Sequence, residues 1–156
     1  MPLALRIALA CLALTVGCVP GVSAADVARS AAVTTANSTR LAIETAESTA
    51  LGLYRADQVG ALESVRAGGG NRDAAVHAVD RVRVKWQLVW TSLDVAEKSH
   101  RLLVAAIQAY DTGRAVNESG EVVLADVAEV ARRVRALADA EQAVVTALAQ
   151  ARGPRP

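Results

Sequence analysis

From Val79 to Tyr110 one set of residues recurs in alternating steps of three and four: Val79, Val82, Trp86, Val89, Leu93, Ala96, His100, Leu103, Ile107 and Tyr110. Residues with that spacing line one side of an α-helix, and the stripe holds for about four heptads. The stretch beyond it repeats the pattern with Val123, Val127, Val130, Val134, Leu137, Glu141, Val144 and Leu148. No proline stands between Pro20 and Pro154, so nothing forces a break in either helix. Glycine-marked turns divide the chain: Gly68-Gly69-Gly70-Asn71, then Thr112-Gly113 followed by Asn117-Glu118-Ser119-Gly120.

These signals predict three helices, over about 26–67, 72–111 and 121–151, with a disordered tail over 153–156. A helix of about 40 residues is about 60 Å long, and two joined by a short turn must run antiparallel. The expected fold is all-α: an elongated antiparallel three-helix bundle, coiled-coil-like, spanning residues 25–152. Arg81 to Leu88 alternates strictly, as a half-buried strand would. The heptad stripe runs through it unbroken, so helix is expected there. The first segment is less regular. It is rich in Ser and Thr between Ser30 and Thr49, and Val33, Leu41, Ile43, Leu51, Leu53, Val59, Leu62 and Val65 form no single stripe. Gly52 and Gly60 offer places for a bend or a close crossing.

Ahead of the bundle, Arg6 precedes the apolar or small run Ile7–Cys18, interrupted in polarity by Thr15, and Pro20-Gly21 ends the run. Val22-Ser23-Ala24 then places small residues where a signal peptidase reads. This is the order of a secretory signal over residues 1–24, too short in its apolar part to cross a bilayer. An alternative cut falls before Cys18. Leu14-Thr15-Val16-Gly17-Cys18 resembles a bacterial lipoprotein signal over 1–17, which implies lipidation of Cys18, although Thr15 stands where that family usually has Leu. The chain is therefore expected to be exported, to the periplasm or outside the cell, with membrane anchoring as a lipoprotein left open.

Cutting after Ala24 removes both cysteines, Cys11 and Cys18, and with them any disulfide or thiolate metal site. It also removes Arg6, leaving 16 basic residues against 16 acidic ones. A neutral chain is a poor nucleic-acid binder, since that affinity rests on neutralising phosphates. Phe is absent, and the aromatics are Tyr54, Tyr110, Trp86 and Trp90.

Folding the chain at its turns sets Trp86 level with Leu53 and Tyr54 on one side and with Val145 and Thr146 on the other. Trp90 falls near Glu141 and Gln142. Tyr54, Trp86, Trp90 and Glu141 are thus the candidate ligand pocket; the structural alternative is an alanine-lined core in which an indole N–H bonds Glu141 or Gln142. Glu97 and His100 make a Glu-x-x-His pair, but di-iron bundles need two such pairs plus two further glutamates. Only Glu44 lies near the right level, and Arg132 and Arg135 would repel a metal. His100 is expected to be a seam histidine bonded to Thr35 or Thr39, and His77 to be exposed. Glu129 stands three and four residues before Arg132 and Arg133, which predicts a salt-bridged face.

No catalytic, cofactor or metal site is expected. The expected function is non-enzymatic: a structural, spacer or protein-interaction module. Its partner would be another protein or a second copy, met through helix faces; no nucleic acid is expected. Helix 2 carries apolar residues beyond its seam, Val84, Leu88, Val95, Leu102 and Ala106, which would drive association if left uncovered.

Overall fold

The computed structural model describes residues 23–113, 115–116, 122–123 and 126–153. The expected export segment ahead of Ser23, both cysteines, Asn117–Gly120 and 154–156 lie outside the described residues. Among the described residues three helices pack against one another: α1 (Ala24–Ala67), α2 (Arg72–Thr112) and α3 (Val127–Arg152). Between α2 and α3 a minimal antiparallel ladder pairs β1 (Ala115–Val116) with β2 (Val122–Val123).

The ends of the helices follow from their capping chemistry. Ser23 and Asp26 form a reciprocal capping box at the start of α1, the Ser23 hydroxyl accepting from the Asp26 N–H at 3.1 Å. The box spans the bond after Ala24, so the expected cut there would remove the cap. At the first turn Gly69 has φ 68°. Gly70 is sterically required, because a Cβ there would meet the Val65 side chain at 2.6 Å. Asn71 then caps α2 by accepting from the Ala74 N–H, and Gly113 ends α2 in the left-handed region.

The third helix starts later than the sequence suggested. It begins at Val127 rather than near Glu121, because the Asp126 carboxylate accepts from the Ala128 N–H and caps it there. Val122 and Val123 pair with Ala115–Val116 instead, so Val123 lies in β2 and not in the helical seam. Helix α1 is unbroken through Gly52 and Gly60, and a Cβ at either would meet nothing within 4 Å. Neither glycine marks a break in the helix or a close crossing.

Cross-helix contacts run in opposite senses: Arg29 meets Asp111, Ala36 meets His100, and Asp57 meets Lys85. Helices α1 and α2 are therefore antiparallel. The core divides into two clusters. One gathers Ala50 with Val82, Trp86, Val89, Leu93 and Ala96 of α2, and with Ala140, Val144, Ala147 and Ala151 of α3. The other gathers Ala32 and Ala36 with Leu103, Ile107, Val130 and Leu137. Seven of the ten seam positions expected in α2 are buried, and Val79, His100 and Tyr110 are half-buried. The alternating stretch Arg81–Leu88 is helical, with Val82 and Trp86 inward and Val84 and Leu88 outward.

Two seams differ from expectation in an instructive way. In α3, Val130, Leu137 and Val144 are buried as expected, but Ala140 and Ala147 take the places next to Glu141 and Leu148, which are half-buried. In α1 a stripe does exist: Ala32, Ala36, Thr39, Ile43, Ala46, Ala50 and Leu53 follow in steps of three and four and face inward. Most of its members are small. The large aliphatics Leu41, Leu51, Val59 and Leu62 face solvent. An alanine methyl contributes only about 0.8 kcal/mol by its own burial, whereas a large side chain contributes about 1.5–3 kcal/mol. The small α1 face therefore acts chiefly by letting α2 approach closely enough to bury Trp86, Val89 and Leu103.

Candidate functional site

Helix periodicity places Trp86 and Trp90 one turn apart on α2, where both reach the same level of α1. Tyr54 meets both edge-on, with ring centroids 6.2 Å from Trp86 and 5.8 Å from Trp90, and the two indoles lie 6.4 Å apart. The structure thus brings together the three aromatic members of the candidate pocket. Edge-to-face contact at these distances is the favoured geometry for aromatic rings. Trp86 is 1% exposed, so its ring fills the core of this level; Tyr54 and Trp90 are half-buried beside it. Glu141 is half-buried on α3.

The indole's partner is not Glu141 or Gln142. Trp86 Nε1 donates to Asp57 Oδ2 at 2.7 Å, and Lys85 Nζ donates to the same oxygen at 2.7 Å. Asp57 lies three residues beyond Tyr54 on α1, at the point where that helix faces Trp86, while Gln142 is exposed. Burial pushes the Asp57 carboxyl up, but the hydrogen bonds from Lys85 and Trp86 and the Lys85 charge outweigh it and hold the group below the ordinary aspartate range. Asp57 was not singled out from the sequence. The signal available was its place as the one acid continuing the inward α1 stripe, legible only once that stripe is recognised.

On the side of this cluster nearer the glycine turn, a cleft of about 520 Å³ opens between α1 and α2. Ala61, Val65, Ala78 and Val82 give it an apolar floor, and Asp57, Arg81 and Lys85 supply charge around it.

The other candidate groups are dispersed. His100 is half-buried, and its Nε2 lies 3.0 Å from the Ala36 carbonyl rather than from Thr35 or Thr39. A carbonyl can only accept, so Nε2 carries the proton. The Thr35 hydroxyl donates to the Ala31 carbonyl of its own helix instead. Glu97 is exposed and pairs with Arg101, so the Glu-x-x-His residues reach different partners. Glu44 pairs with Arg40. Glu129 binds both Arg132 and Arg133 at 2.6 Å, the salt-bridged face expected from the sequence, and His77 is exposed. At the far end of α1–α2, Arg29 grips Asp111 through Nε and Nη2, and this pairing lowers the Asp111 pKa.

Among the described residues no three His, Cys, Asp or Glu side chains gather as a metal site would require, and no helix is long and apolar enough to cross a membrane. Comparison of the chain with protein-family models, curated proteins and solved structures gives no match.

Proposed function

We propose that the chain is an exported, non-enzymatic helical-bundle protein that serves as a structural, spacer or protein-interaction module in the bacterial envelope or outside the cell. One observation carries this reading. The polar groups best suited to chemistry are occupied in holding helices, Asp57 by Lys85 and Trp86 and His100 by Ala36, while large aliphatics stand on the outer faces of long continuous helices. Extended helical surface is what such a protein offers a partner. The order of residues before Ser23 supports export, with an acylated Cys18 as the tethered form. One acyl chain alone anchors only marginally.

Intact-mass measurement on each cell fraction tests the export reading. A mature chain starting at Ala25 in periplasm or medium, or at an acylated Cys18 in the membrane fraction, supports it. Full-length chain confined to the cytoplasm contradicts it.

A second reading is a small apolar ligand bound at the Tyr54, Trp86 and Trp90 level, with Glu141. The cleft floored by Ala61, Val65, Ala78 and Val82 on the turn side of that level favours it, and the aromatics stand beside the cleft rather than in its lining. Titration of tryptophan fluorescence with fatty acids and aromatic metabolites tests it. A saturable shift that Ala61→Leu abolishes supports ligand binding; a flat response across the panel contradicts it.

A further inference from the structure

Helix α2 carries a second stripe that its own bundle leaves open. Val84 is 65% exposed, Leu88 52%, Val95 46% and Leu102 47%. Thr91 joins them on the exposed face, and Ser99 and Ala106 complete the stripe as half-buried members, with Ala106 also packed against the bundle's own Leu103 and Ile107 cluster. Successive members are four, three, four, four, three and four residues apart. The spacing is the same read in either direction from Val95, and so is the chemistry. Leu88 and Leu102 stand equally far from Val95, as do Thr91 and Ser99, and as do Val84 and Ala106.

A two-fold interface requires that kind of symmetry, because residue i must meet residue j while j meets i. We propose that two copies of this chain associate through this stripe, α2 against α2 and antiparallel, with the two-fold axis passing at Val95. In that register Val95 meets its own copy, Leu88 meets the second copy's Leu102, and Val84 meets Ala106, so each aliphatic faces an apolar partner. Thr91 faces Ser99, two hydroxyls that can hydrogen-bond. Asp94 and Lys98, ion-paired within α2 at 2.6 Å, lie on one flank of the stripe on either side of Val95. The antiparallel register sets each Asp94 about 3 Å along the axis from the other copy's Lys98 and equally far from the other copy's Asp94, so two lysines flank a central pair of carboxylates.

From Val84 to Ala106 the stripe is about 33 Å long and about one helix diameter, 10 Å, wide. That footprint, about 330 Å² on each copy, is smaller than a stable specific interface needs, so the dimer is weak and transient and dissociates on dilution. The inference rests on the reading of the helix faces as interaction surfaces, but not on export.

Sedimentation equilibrium of the full chain, from low micromolar to several hundred micromolar, tests it. The expected result is a mass rising to twice that of the monomer, with Leu88→Glu weakening association at least tenfold and leaving helical circular dichroism unchanged. Leu41→Glu, on the outer face of α1, should leave association intact. Mild oxidation of Val95→Cys should give a disulfide between two copies of position 95, located by mass spectrometry apart from Cys11 and Cys18. Leu88→Cys should not join to itself, since its copies lie about 21 Å apart along the helix. A monomer at every concentration, a dimer untouched by Leu88→Glu, or a self-joined Leu88→Cys overturns the proposal. The fractionation and mass result is read separately, so failure here and failure of the export reading are distinguishable.

Discussion

Helices α1 and α2 are similar in length and lie side by side, yet they use opposite rules for what goes inside. Helix α2 turns its large residues inward: Trp86, Val89, Leu93, Leu103 and Ile107 are buried. Helix α1 turns small ones inward, Ala32, Ala36, Thr39 and Ala50, and leaves Leu41, Leu51, Val59 and Leu62 in solvent. The difference shows that amphipathicity read by hydrophobicity alone describes one partner of a packed pair and can mislead about the other. A small face is a counterpart in shape to a large one, and close packing needs both.

Replacing a large residue on the α2 side should have the largest effect. Trp86→Ala should cost about 3–5 kcal/mol, measured by chemical denaturation, because it empties a core position and removes the donor to Asp57. The α1 side should respond to the opposite change. Ala50 is fully buried, so Ala50→Leu should cost about 1–3 kcal/mol by overpacking, while Ala50→Ser should be milder. If Ala50→Leu stabilises, α1 does not present a close-packed small face.

Asp57 and Asp111 join the two helices through ions, and both are held below the ordinary carboxylate pKa in the folded state. Their contribution is present above the unfolded value of about 4 and is lost as pH falls through the folded value. Thermal melts should therefore fall in stability below about pH 4. Asp57→Asn should lower stability at neutral pH by about 1 kcal/mol and flatten part of that acid slope. The smallest effect is expected outside. Leu41→Gln or Leu51→Gln should change stability by less than about 0.5 kcal/mol, as exposed sites do.

The same contrast explains what could be read in advance. The α2 seam was legible because Val, Leu, Ile and Trp advertise a heptad, and the turn at Gly68–Asn71 was legible because glycine and asparagine mark helix ends. The α1 stripe was hidden because alanine and threonine carry little hydrophobic signal. With it went Asp57, whose role depends on facing Trp86 across that stripe. The aromatic cluster was legible from levels alone, since antiparallel helices of fixed rise bring Tyr54 beside Trp86 and Trp90. Its hydrogen-bond partner was not, because level does not specify facing. In α3 the start was misplaced because Val122 and Val123 suit the apolar pattern of a helix and the pairing of a strand equally.

Ala50 and Leu51 are neighbours in sequence and opposites in surroundings, one fully buried and the other exposed. Thiol labelling of Ala50→Cys and Leu51→Cys, resolved by mass spectrometry from Cys11 and Cys18, compares them directly. The small-face packing of α1 predicts slow labelling at position 50 and fast labelling at position 51. Fast labelling at 50 with protection at 51 would mean that α1 packs by its leucines, and the account of the bundle would be wrong.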